Sequence, residues 1–349
     1  MFDFPDKIKL DRLRERFDRN YRVSRLFSEY LTSYPALIDA EMMSALECQP
    51  EEEAAVIGAI LSGALTPEDT PEDLRIQRDY ILPAVRVLDI SRYRENPYFR
   101  NIRIPDMSVG NFSLKNEIYP AYRAFVCGDM TVREDFLEYP PLGYFREDFT
   151  FPAVLEGGNE WMTLTPVDVD TCEDAIAAAH GRVVTFGLGL GYYAYRVSEK
   201  EDVGSVTVVE ISPEAAELFE QVILPQFPHK EKVNVTVSDA FEYAQTQMPA
   251  EKFDYAFVDT WRDAGDGLPM YRRMKRLEQL SPNTGFSYWI EGFILSRARS
   301  LAFEDIWQRL GGGAGIEEAV THGLPLPENY AELCRIISDD GLRRAIASQ

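Results

Sequence analysis

An α/β protein built on a mostly parallel sheet with helices on both faces is predicted by three observations. The part of the chain from about Trp161 alternates strand-like apolar runs with helix-like segments, its first apolar run ends directly in a glycine-rich turn, and single carboxylates stand at the ends of the runs that follow. The stretch VVTFGLGLGYYAYR, Val183 to Arg196, carries the turn. At 349 residues the chain exceeds the roughly 100 to 200 of one ordinary domain. Its texture divides it into a helical N-terminal region (1–90), a small β-rich segment (91–160), the α/β region (161–311) and a helical C-terminal tail (312–349).

Each element has its own signal. Leu10, Leu13, Phe17 and Tyr21 recur at helical spacing, and PEEEAAVIGAILSGAL reads as a second amphipathic helix with Pro50 at its start and Gly63 near its end. YRAFVCGDMTV and YFREDFTFPAVL, among prolines and aromatics, read as short strands. DTCEDAIAAAHG predicts a helix capped by Asp170, with Glu173 completing a capping box and Gly181 as its stop. Arg182–Phe186 then reads as a buried strand, followed by Gly187, Gly189 and Gly191 and by a helix from about Tyr192. A second strand ends at Glu210, a third (Val233–Val237) runs into Asp239, and a fourth (Tyr255–Val258) into Asp259. FSYWI is the fifth, with Tyr288 near its end. ENYAELCRIISDDG reads as a helical tail docked back on the body.

Composition excludes several classes. A formal net charge of -22 argues against nucleic acid as a partner, since that affinity rests on Lys and Arg contacts to phosphates. The four cysteines form no CxxC pair and fit reduced, buried thiols; His180, His229 and His322 lack ligand spacing, so no metal is expected. No run approaches the ~18 apolar residues of a membrane span, and the charged N-terminus lacks an apolar signal core. The expectation is a soluble, cytoplasmic chain.

The glycine turn narrows the ligand. Glycine at alternate positions permits positive φ and close backbone approach, and Glu210 follows Gly187 by close to the ~20 residues expected between a nucleotide loop and the acid that holds ribose hydroxyls. Dinucleotide binding asks for a third glycine where Tyr192 stands, which argues against an NAD-dependent oxidoreductase, and no GK[ST] is present. Bulky tyrosines in place of phosphates favour a nucleoside without them, and aromatic rings suit a cation. S-adenosylmethionine is such a ligand.

With these motifs in order, the chain from about Trp161 to Gly292 resembles the Rossmann-like domain of class I S-adenosylmethionine-dependent methyltransferases, a seven-stranded type of sheet. The resemblance implies that Gly187, Leu188, Gly189 and Gly191 face the methionyl and ribose part of the cofactor, that Glu210 holds the ribose hydroxyls, and that Ile211 packs on the adenine. It also implies that Asp239 accepts from the adenine amino group beside the Ala240 N–H. Phe186 departs from the family, which often has an acid there, so Asp259 or a backbone carbonyl is left to orient the cofactor's amino group. The implied activity is methyl transfer to a small-molecule acceptor, with Asp259 the first candidate for a general base and Tyr288 the second. The fourth-strand segment is also similar to spermidine synthases, which keeps aminopropyl transfer open, although their GGGDG-type loop is absent. Base methylation is disfavoured because Asp259-Thr260-Trp261-Arg262 stands where [DN]PP[YF] would be. A third alternative is a noncatalytic scaffold whose N-terminal helices form a homodimer or partner interface. Trp161 and Met162 are candidates for lining the pocket.

Overall fold

Leu10, Leu13, Phe17, Val23, Phe27 and Tyr30 lie buried along α1 (Lys7–Ser33), as their spacing requires. The computed structural model describes residues 4–348. The first half of α1 packs on the α/β region, whereas Val23, Phe27 and Tyr30 join a separate core with Ile57, Leu61 and Tyr80. The next amphipathic helix spans Glu53–Leu65, starting after Pro50.

Two findings blur the predicted division near residue 90. A strand, Val85–Val87, pairs parallel with Leu142–Tyr144, and the segment read as β-rich opens on two short helices, Ile90–Arg94 and α2 (Pro97–Asn101). Both helices have an Asx cap, Asp89 and Asn96, and α2 has proline in its first turn. Beyond them lies a four-stranded antiparallel sheet made from Met107–Val109, Phe112–Tyr119, Phe149–Glu156 and Asn159–Thr163. Its last two strands form a hairpin that leads straight into the α/β region.

That region runs α3 (Pro166–Ala178), β1 (Gly181–Phe186), α4 (Tyr192–Ser198), β2 (Val203–Glu210), β3 (Val233–Val237), α5 (Ala240–Thr246), β4 (Tyr255–Val258), α6 (Ala264–Leu277) and β5 (Gly285–Tyr288). The strands pair in parallel in the order β3-β2-β1-β4-β5. This is a doubly wound, Rossmann-like sheet, and its order reverses beside β1. Successive residues face opposite cores: Val183 and Phe257 point toward α3, α4 and the antiparallel sheet, while Val184, Phe186, Ala256 and Val258 point toward the helices of the other face. Among the described residues this sheet has five strands. After β5 the chain enters α7 (Glu291–Leu310) and closes with α8 (Tyr330–Ile337) and α9 (Asp339–Ala347), whose Leu333, Ile337, Leu342 and Ile346 are buried in the second core.

The start of α3 also differs from expectation. Pro166 sets the first turn, and Asp168 accepts from both the N–H and the hydroxyl of Thr165, so the helix begins before Asp170. Asp170 instead accepts from the Tyr93 hydroxyl and pairs with Arg92. Gly181 is not the helix stop either; α3 ends at Ala178, and Gly181 opens β1 at φ 63 where a Cβ would lie 2.1 Å from the Asp254 carboxylate. Among the described residues no helix is long and apolar enough to cross a membrane.

Candidate functional site

The carboxyl ends of β1 to β4 bring the glycine turn, Glu210, Asp239 and Asp259 to one edge of the sheet, where open α/β folds bind ligands. Gly187, Gly189 and Gly191 all have positive φ, at 95, 53 and 75°. The space beside them is occupied by the protein itself. A Cβ would lie 1.8 Å from the Asp259 carbonyl at Gly187, 2.4 Å from the Phe219 ring at Gly191 and 3.1 Å from the Met162 methyl at Gly189. Backbone and a buried ring cannot yield, but a methionine end can. Of the three faces, the one over Gly189 is therefore the one a ligand could open.

Glu210 is 4% exposed and braces this turn from inside. Its Oε2 accepts from the Leu188 N–H at 3.1 Å and its Oε1 from the Ser212 N–H at 2.8 Å, while burial pushes the carboxyl above its ordinary pKa. A ribose diol would have to use the remaining lone pairs of the same two oxygens. Next to it Ile211 is 68% exposed, an open apolar shelf. Asp239 caps α5, and both of its bonds, from the Phe241 and Glu242 N–H groups, fall on Oδ1. Oδ2 is left without a partner. Ala240, the first residue of α5, is buried.

Asp259 stands at the end of β4, and its carboxylate has no hydrogen-bond partner among the described residues. Burial, then the nearby charges of Asp168 and Glu210, raise its pKa well above the carboxylate range. Asp168 and Asp259 line one small cavity with Met162, Leu164, Cys172 and Trp289, and no lysine or arginine lines it. Its volume is about 30 Å³, far below the roughly 300 Å³ of an ordinary ligand pocket. Met162, on the last strand of the hairpin, and Leu164, just after it, border this cavity beside the glycine turn. Trp161 has a different role from Met162, packing edge-on against Phe112 at 5.3 Å.

Asp168 gives the cavity a measurable signature. Burial pushes its carboxyl up to about 6. Such a group holds its proton more tightly folded than unfolded, so its contribution favours the folded state at low pH and is lost as pH rises from ~4, the unfolded value, to about 6. Asp168→Asn is expected to flatten that part of the stability curve, measured by urea unfolding across the window; an unchanged slope would show that Asp168 does not titrate there.

The tyrosines of the turn do not face outward as cation acceptors, as the sequence suggests. Tyr192 borders the cavity, but its hydroxyl is committed to Asn96, Glu173 and Arg196. Tyr193 stacks on Phe257 at 4.2 Å, and Tyr195 is fully buried. Tyr288 is not brought to the cavity at all. Its ring packs on Trp261 and Tyr271 in the opposite core and its hydroxyl donates to Glu278, so burial and that carboxylate hold its pKa up and remove it as a base. Phe186 lies in the same core against Tyr243, because its position in β1 faces away from the ligand edge. Asp168 and Trp289 are among the lining residues that sequence reasoning missed. The Thr165-Pro166-Val167-Asp168 capping pattern was the available signal for the first; nothing local marked the second.

The fold and site thus define a Rossmann-like α/β protein in which Asp168, Glu210, Asp239 and Asp259 gather at one sheet edge and, among the described residues, form no ion pair. No family model matches the chain, and no curated protein matches it. Among solved structures it is similar to a spermidine synthase from Thermotoga maritima, at 13% identity and TM-score 0.31, over 44% of this chain and 59% of that one. A spermidine synthase in complex with the transition-state analogue AdoDATO gives 14% identity and TM-score 0.31 over 44% and 60%. Each match spans less than two thirds of the other protein's length.

Proposed function

We propose that this chain is a transferase that uses S-adenosylmethionine to methylate a small-molecule acceptor. The observation that carries the reading is the convergence of the positive-φ glycine turn, Glu210, Asp239 and Asp259 at the carboxyl ends of four neighbouring parallel strands. For the nucleoside half of the ligand we assign the exposed Ile211 shelf to the adenine face, Asp239 Oδ2 and the buried Ala240 N–H to its edge, and the remaining lone pairs of the buried Glu210 to the ribose. The tail half requires Met162 and Leu164 to withdraw from beside Gly189 and Asp259. When bound, the cofactor supplies a methyl group on an electrophilic sulfonium. The chain's own contribution is then positioning and exclusion of water, with Asp259 taking the proton from an acceptor that must lose one. A raised pKa makes the ionised form of that carboxyl a stronger base.

Aminopropyl transfer from the decarboxylated relative of the cofactor is the second reading, and one feature favours it. The cavity offers Asp168 and Asp259 and no cation, so a tail bearing only an ammonium group finds partners there and a tail carboxylate finds none. Calorimetric titration with S-adenosylmethionine, S-adenosylhomocysteine and decarboxylated S-adenosylmethionine separates the readings. Micromolar binding of the first two supports methyl transfer, and preference for the third moves the assignment to aminopropyl transfer. Absence of all three rejects the cofactor and leaves a scaffold that has kept the fold.

A further inference from the structure

We infer that Tyr98 is a positioning residue for the glycine turn, holding it from outside the α/β region through the Leu190 carbonyl. The turn leaves carbonyls between its glycines that need partners. That of Leu188 accepts from the Gly191 N–H at 2.9 Å, and that of Leu190 accepts from the Tyr98 hydroxyl at 2.5 Å. Tyr98 and Leu190 are each 1% exposed, so water cannot replace the hydroxyl.

The neighbours of Tyr98 point the same way. Asn96, the cap of α2, accepts from the Tyr98 N–H at 3.0 Å and donates to the Tyr192 hydroxyl at 3.0 Å. The Tyr98 ring meets Tyr192 and Tyr195 edge-on at 5.6 and 5.5 Å. Asn101, at the other end of α2, donates to the Tyr195 hydroxyl at 2.7 Å. Apart from the Asn96 cap on the Tyr98 N–H, each of these contacts from Asn96–Asn101 lands on Leu190–Tyr195. The turn is therefore gripped twice, by Glu210 on the Leu188 amide and by Tyr98 on the Leu190 carbonyl. The two grips act on backbone groups two residues apart, with Gly189 between them, and Gly189 is the face a ligand could open. The consequence for ligand affinity rests on the nucleoside reading proposed above; the consequence for the turn does not.

Tyr98→Phe removes the hydroxyl and keeps both ring contacts. Hydrogen exchange of the Leu188–Ala194 amides in the free chain, and the calorimetric Kd for S-adenosylhomocysteine, are the two readouts. The expected result is exchange about tenfold faster, confined to these amides, and binding about tenfold weaker. Asn101→Ala, which breaks the neighbouring bond without touching Leu190, should leave the turn's exchange at the parent rate. Exchange in Tyr98→Phe equal to the parent's, or raised evenly over the whole chain, overturns the inference. Faster exchange at the turn in a chain that binds no S-adenosylhomocysteine rejects the nucleoside reading while the positioning role stands.

Discussion

Glu210→Ala is expected to abolish nucleoside binding, lowering affinity for S-adenosylhomocysteine by about 100-fold or more. Two losses add. The carboxylate is the group assigned to the ribose, and it is also the acceptor for the Leu188 and Ser212 amides, which the variant leaves without a side-chain partner. An unsatisfied buried amide costs about 1 to 3 kcal/mol, so the variant should also unfold at lower urea. Glu210→Gln separates the two roles. It keeps an acceptor for one amide and loses the charge, so a fall in affinity with little fall in stability would locate the effect in ligand contact. Equal and large losses of stability in both variants, with binding intact in the glutamine form, would make Glu210 a brace and nothing more.

That dual role marks the boundary of what sequence could reveal. The strand bounds Val233–Val237 and Tyr255–Val258 were readable residue for residue: Tyr255–Val258, buried on both faces, appears as an uninterrupted apolar run, and the edge strand Val233–Val237 as valines alternating with Asn234 and Thr236. The carboxylates after those runs were readable for the same reason: where a strand stops, the next residue lies at the sheet edge. Direction was not readable. Whether Glu210 faces a ligand or its own turn depends on a rotamer, and Tyr288 was misplaced because a strand sends alternate residues to opposite faces and the register at β5 sends this one to Glu278. Contacts remote in sequence were equally hidden. Tyr98 reaches Leu190 and Met162 reaches Gly189 through the packing of separate elements, and no local pattern encodes either meeting.

The largest loss of stability should come from a residue that sequence did not single out. Arg299, 1% exposed, donates to Glu138, to Asp339 and, at 2.8 Å, to the Ile337 carbonyl, and Ser296 donates to the other oxygen of Glu138. The Glu138 N–H donates to Asn20 on α1, so this guanidinium joins α1, the end of the β-rich segment, α7 and the C-terminal helices. Arg299→Ala leaves the Glu138 carboxylate, 4% exposed, without its cation, and breaking a buried pair in this way costs about 3 to 5 kcal/mol. Glu138 already sits above its ordinary pKa because burial outweighs the pull of Arg299. Without that pull its pKa rises further, and the folded variant takes up a proton the unfolded chain releases. The cost should therefore be smallest at low pH and grow as pH rises past the pKa that Glu138 has in the folded parent, because the unfolded chain is common to both and only there do the two folded forms differ in protons bound. Urea unfolding of parent and variant from pH 4 to 8 gives the difference curve directly. A gap that widens with pH identifies the stranded carboxylate as its source, and Glu138→Gln in the Arg299→Ala background should then remove the slope. A gap that is constant across the range would mean that lost packing, and not the unpaired charge, is what Arg299 prevents.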